Sequence, residues 1–297
     1  MSDALPPPPG EPNGGWSPVG PYATSSMAMP PMRSLKGLSI ALLVLFVLIA
    51  LIDIVGAGAL FNRAGLLDDF LDGPAPSFQE VSDADDAVAA SLGLHLLLVV
   101  GLAVVFIVWQ WRHAKNAEVL GARGGLGPGW AIGGWFVPLA NFVLPGVQLF
   151  QSSRASDVAA RQEGRAPKGS GLVIAWAIVY GTAALLFIVG GGLRPADEEG
   201  NLQVDTTEDV QAAADGDRLA GAALVVYVGA AALGAVMVRS LTSRQTAAYA
   251  AMAASTPPTG PPPPGTVTPP PPAPTWGTPP PPPPPPPPPS APPSPPQ

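Results

Sequence analysis

The chain contains no cysteine, only two histidines, and charge on only 12% of its 297 residues. Without cysteine it has no disulfide, no thiolate nucleophile and no thiolate metal site, and two histidines cannot build a histidine-rich metal cluster. The charged share is roughly half that of an ordinary soluble domain, which argues against a water-soluble fold. The net charge of -7 argues against nucleic acid as a partner. What the sequence does contain is 42 prolines, 34 glycines and four or five apolar stretches of membrane-spanning length.

The prolines concentrate at the ends. Residues 1–32 carry nine prolines and no apolar period, which predicts a disordered tail. Residues 255–297 carry 26 more, with an unbroken run from Pro279 to Pro289. Eleven consecutive prolines favour polyproline II geometry, spanning roughly 34 Å at about 3.1 Å per residue. Such a tract serves either as a stiff spacer or as a ligand for an aromatic-lined groove on a proline-recognising protein, although it lacks the neighbouring Arg or Lys that usually orients such ligands. Trp16, Tyr22 and Trp276 are contact points or touch only solvent. Met1 precedes some thirty polar and proline-rich residues, so the first apolar run is expected to be an uncleaved anchor.

The fold predicted is an all-α polytopic membrane protein, with its membrane domain over residues 38–246. Its four spans are Leu38 to Leu60, Val88 to Trp111, Gly171 to Leu193 and Leu219 to Val238. The first is about 34 Å of helix, enough to cross a hydrocarbon core of roughly 30 Å. In the last span, Ala230 and Gly234 form a small-x-x-x-small pair, a surface that allows close helix contact in lipid and would suit a homo-oligomer. A plain run of small residues explains the same letters.

Charge orients these spans. The stretch 61–87 holds seven acidic residues against Arg63, and 194–218 holds eight against Arg194 and Arg218. The other eleven basic residues, from Arg33 to Arg244, lie on the opposite side. Short basic loops stay inside, so both tails are expected in the cytoplasm and both acidic stretches outside.

Residues 130–150, WAIGGWFVPLANFVLPGVQLF, are long enough to cross but have basic flanks on both sides and contain Pro138 and Pro145. A complete crossing would strand one basic group outside, and each proline removes a backbone donor. The segment is therefore read as re-entrant or interfacial, with a fifth span as the alternative.

The stretch from Trp130 through Asp157 resembles the signature of a family of bacterial membrane proteins, the domain of unknown function 4328. The resemblance is expected to cover Leu38 to about Thr246, and it implies paired helices on either side of the motif. Matching positions are Gly134, Trp135, Phe136, Pro138, Asn141, Pro145, Arg154 and Ser156. The family pattern places an aromatic where Gly146 stands and a Trp near Ser153, so this chain departs from it there. The resemblance implies no catalytic activity, substrate or cofactor.

Within the spans, Asp53 lies seven residues before Leu60 and His95 seven after Val88. In antiparallel helices both fall about 10 Å from the same outer edge, so they are candidates for an intramembrane polar pair. Such a pair either orients a helical hairpin or relays protons, and Tyr180 and Tyr227 offer only phenols beside it. Asn141 marks either a substrate contact or an amide that satisfies carbonyls freed by the prolines. Arg154, Arg161, Arg165 and Lys168 either meet anionic lipid headgroups or merely reflect sidedness. Asp83, Asp85 and Asp86 form a weak candidate metal site, since solvated acidic loops look the same.

No Ser-His-Asp order, nucleotide loop or zinc motif is present, so no catalytic residue and no cofactor is predicted. The leading expectation is a non-enzymatic scaffold or envelope-associated interaction protein in the lipid bilayer. The alternative is a small transporter or channel subunit whose path is lined by residues 130–150.

Overall fold

The computed structural model describes residues 30–195 and 205–255. The expectations for the two proline-rich tails, including Trp16, Tyr22 and Trp276, fall outside the described residues. The described chain is helical: α1 (Lys36–Asp72), α2 (Phe78–Val119), α3 (Trp130–Gly133), α4 (Leu144–Ser153), α5 (Val158–Gln162), α6 (Gly171–Leu193) and α7 (Thr207–Ser255). Four of these, α1, α2, α6 and α7, are long and apolar enough to cross a membrane.

Helix α6 coincides with its predicted span, but the other three run well past theirs. Residues 61–72, 78–87 and 207–218, expected as acidic loops, are helical. Leu, Ala, Gln and Glu favour helix, and the acidic residues among them do not prevent it. The break between α1 and α2 is confined to Gly73–Pro74–Ala75–Pro76–Ser77. Ser77 then starts α2 with a capping box: its hydroxyl accepts from the Glu80 N–H, and the Glu80 carboxylate accepts from the Ser77 N–H at 2.8 Å.

The segment 130–150 forms no spanning helix. It is divided into α3, a single 3-10 turn at Ala140–Phe142 and the start of α4. Pro138 lies in the non-helical link, next to Leu139, whose φ of 61° is the only positive value among the described non-glycine residues. Pro145 lies in the first turn of α4, where its missing N–H costs nothing, so it initiates a helix. Gly134 is required by crowding, since a Cβ there would lie 2.7 Å from the Trp130 carbonyl oxygen.

Helix α7 is the hub. In its most apolar stretch 44% of residues are buried by protein, against 11% in α2. It packs between α1 and α6, while α2 lies against α1. The main core joins Leu42, Phe46 and Ile49 of α1, Phe106 and Trp109 of α2, Trp176 of α6, and Met237, Val238 and Leu241 of α7. Large apolar side chains on the outer faces, such as Val44, Leu97, Ile178 and Val236, point away from protein, the inverted arrangement of a membrane protein.

Small residues set the closest helix approach at two places. At the acidic end Gly190 of α6 faces α7, where a Cβ would meet Ala220 N at 2.7 Å and Gly216 O at 2.8 Å. Further along α7, a Cβ on Gly234 would lie 2.7 Å from the Phe46 ring and 3.2 Å from Trp176 Nε1. The Ala230–Gly234 face is therefore occupied within the chain, and this pair offers no open surface to a second copy.

Candidate functional site

The equal depths of Asp53 and His95 bring them together. His95 Nδ1 lies 2.5 Å from Asp53 Oδ1, and Asp53 is 1% exposed. Gly56, one turn further along α1, permits this close approach, because a Cβ there would lie 2.9 Å from Leu224 of α7 and 3.4 Å from the Ser91 hydroxyl of α2. One carboxylate oxygen is used in the pair; the other, Oδ2, is buried without a hydrogen-bond partner. Both residues line a cavity of about 140 Å³, together with Trp135, Trp176, Tyr180 and Tyr227. Trp135 brings the motif into this cavity.

From His95 a line of aromatic rings runs along the bundle through Tyr227, Tyr180, Trp176, Phe106 and Trp109 to His113. Successive centroids are 5.3–6.0 Å apart. The two histidines of the protein thus stand at the ends of one line of ring contacts, some stacked and some tilted or edge-on.

Around His113 the motif is held by neutral polar side chains that sequence reading missed. Gln110, fully buried, donates from Nε2 to the Pro145 carbonyl at 2.9 Å and to Gln148 Oε1 at 2.8 Å. Its Oε1 accepts from Trp135 Nε1 at 3.1 Å. Gln245 of α7 donates to the His113 carbonyl at 2.9 Å and accepts from Asn116 at 3.2 Å. A usable signal existed: Gln110, His113 and Asn116 recur every three residues where an apolar span ends, which places them on one face of α2.

The other motif positions divide between burial and exposure. Pro145 is buried, while Phe136 is 73% exposed and Pro138 is exposed. Asn141 has a buried side-chain oxygen with no partner, so Gln110 is the amide seen serving a motif carbonyl. Ser156 is half-buried, its hydroxyl unpartnered. Arg154 stacks its guanidinium on Phe150 at 5.0 Å. Where the family pattern places larger residues, Gly146 leaves room for Ala177, and Ser153 accepts from the Ser170 N–H at 2.9 Å. Among the other basic residues of this end, Arg165 is paired with Asp157 and Glu163.

At the acidic end the three arginines Arg63, Arg194 and Arg218 all form ion pairs. Asp217 of α7, fully buried, accepts two 2.6 Å bonds from Arg63 of α1 and a further bond from Arg194. Arg63 also reaches Asp85 of α2 at 3.1 Å, and Arg218 joins α7 to Asp68 of α1. Asp85 is thus a salt-bridge partner and Asp83 accepts from Gln79; among the described residues no group of three or more His, Asp or Glu side chains is placed to hold a metal.

A family model described as Domain of unknown function (DUF4328) matches residues 72–243. The match runs from the last residue of α1 into α7, so it begins later than the expected Leu38 and leaves out the first membrane helix. Asp53 and Arg63 lie outside it, while their partners His95 and Asp217 lie inside. No curated protein and no solved structure matches the chain.

Proposed function

The chain belongs to the DUF4328 family, and from that premise we propose that it is a non-enzymatic membrane scaffold of a bacterial cell, presenting both proline-rich tails in the cytoplasm. The observation that carries this reading is that the segment leading into α1 and the C-terminal part of α7 meet at one end of the bundle. The Arg33 N–H donates to Asn116 Oδ1 and the Asn116 amide returns to the Arg33 carbonyl, both at 2.8 Å. Tyr249, near the end of α7, donates to the Pro30 carbonyl at 3.4 Å. Both tails are therefore attached at one end of the bundle, the end that holds the motif and most of the basic residues. Sorting of basic residues makes that end cytoplasmic.

Truncation after Ser255 tests the role. It removes no membrane helix, so the amount of protein in the membrane stays the same, while capture of soluble proteins with a proline-recognising groove is lost. Equal recovery by both forms would reduce the tail to a spacer. Sidedness is checked with single cysteines in the cysteine-free background. Ala75→Cys and Gln203→Cys are expected to label from outside in intact cells, and Ala166→Cys and Ser255→Cys are not.

A second reading, a small carrier, is favoured by the cavity beside Asp53, because Trp135 of the 130–150 segment forms part of its wall. A change in solute flux on expression that survives removal of the tail would favour it over the scaffold.

A further inference from the structure

We propose that the cavity at Asp53 is a binding site for a small organic ammonium cation. The proposal takes the cavity from the carrier reading and names its ligand class, but it requires binding only, not transport.

The two buried carboxylates of the bundle differ in how they are balanced. Asp217 is 0% exposed and lies against two guanidinium groups. Asp53 is 1% exposed and has one imidazole, His95, bonded to one oxygen, leaving Oδ2 buried and unpartnered. A buried carboxylate oxygen without a donor is costly, so the site favours a positive group beside it. The walls decide which kind. Phe106, Trp135, Trp176, Tyr180 and Tyr227 present rings to a space of about 140 Å³. Several of these rings are packed on one another, Trp176 against both Phe106 and Tyr180, so the walls are mainly apolar carbon, which favours a weakly hydrated organic cation over a strongly hydrated one.

Other occupants fit less well. A calcium or magnesium ion needs about six oxygen ligands, and these walls hold one carboxylate, one imidazole and two phenols. An ordered water can bridge the phenols and the carboxylate, but it brings no charge to balance Asp53. A carboxylate at one point and largely apolar walls around it match a cation whose charge is wrapped in methyl or methylene groups.

The test uses the full-length protein in detergent micelles, with choline and its uncharged carbon isostere 3,3-dimethylbutan-1-ol as probes in calorimetric titration. Choline is expected to bind at least about ten-fold more tightly than the isostere. Asp53→Asn should abolish that preference, and Ala103→Leu, which fills the cavity without touching the carboxylate, should weaken choline by about ten-fold or more. The proposal is overturned if choline fails to bind, if it binds no better than the isostere, or if folded Asp53→Asn retains the preference. If Asp53→Asn is not monodisperse, Ala103→Leu decides alone, and unchanged affinity overturns the site. Binding without choline uptake into proteoliposomes would support the site and remove the carrier reading.

Discussion

Asp217 and Gln110 tie helices together at opposite ends of the same bundle with different chemistry. At the acidic end a buried carboxylate gathers two arginines, joining α7 to α1 and to the end of α6. At the motif end a neutral amide gathers a carbonyl, an indole and a second amide. Charged bonds are strong where both partners are present and severe in their absence; amide bonds are individually modest, and their cost on loss is that of unpaired neutral groups. The contrast teaches that the two ends are joined differently: at the motif end neutral amides link α2 to α4 and α7, while the three arginines of the acidic end are committed to carboxylates.

The largest effect is expected from Asp217→Ala. It leaves Arg63 and Arg194 facing each other without their shared anion, and should destabilise the bundle by about 3 to 5 kcal/mol in reversible unfolding in detergent. Next comes Gln110→Leu, which conserves bulk but leaves the Pro145 carbonyl, the Trp135 N–H and the Gln148 amide short of a partner. A loss of about 1 to 3 kcal/mol is expected, with a red-shifted Trp emission as Trp135 loosens. Equal losses for the two variants would break the comparison, since charge would then not distinguish the ends.

The smallest effect sharpens it, at a carboxylate of the motif end that accepts from backbone N–H groups. Asp157 accepts from the Lys168 N–H at 3.0 Å, from the Ala160 N–H at 3.2 Å and from Arg165. The Lys168 N–H first, with Ala160 and Arg165 adding to it, holds this carboxyl below the usual carboxylate range. A depressed folded value means that the contribution is present above the unfolded value and is lost as pH falls through the folded one. Protection factors for hydrogen exchange in 157–168, corrected for the intrinsic pH dependence of amide exchange, should therefore fall on acidification below the ordinary carboxylate range, and Asp157→Asn should remove that fall. An unchanged pH profile in the variant would assign the effect to another group.

Hydropathy alone places the four spans, because lipid admits few alternatives to a long apolar helix. The broken segment follows from Pro138, Pro145 and the basic flanks, and the nearness of Asp53 to His95 from counting residues to a common edge. Helix ends were less legible. The acidic turns read as loops, although Ser77 and Glu80 stand at capping-box spacing. The clamp at Asp217 was not legible, since Arg63 and Asp217 are 154 positions apart and nothing local to either names the other. Gln110 meets Gln148 and Asn116 meets Gln245, each pair drawn from different helices, and only the tertiary packing brings the partners together.

Helix α7 is one uninterrupted rod of 49 residues, about 74 Å long. It carries the Asp217 clamp near one end and the Tyr249 bond to the start of the described chain near the other. A tilt of about 5° around its midpoint displaces each tip by roughly 3 Å in opposite directions, enough to part a hydrogen bond. The two attachments therefore load a single lever, and whatever holds the acidic tip still also fixes the point from which the tails depart.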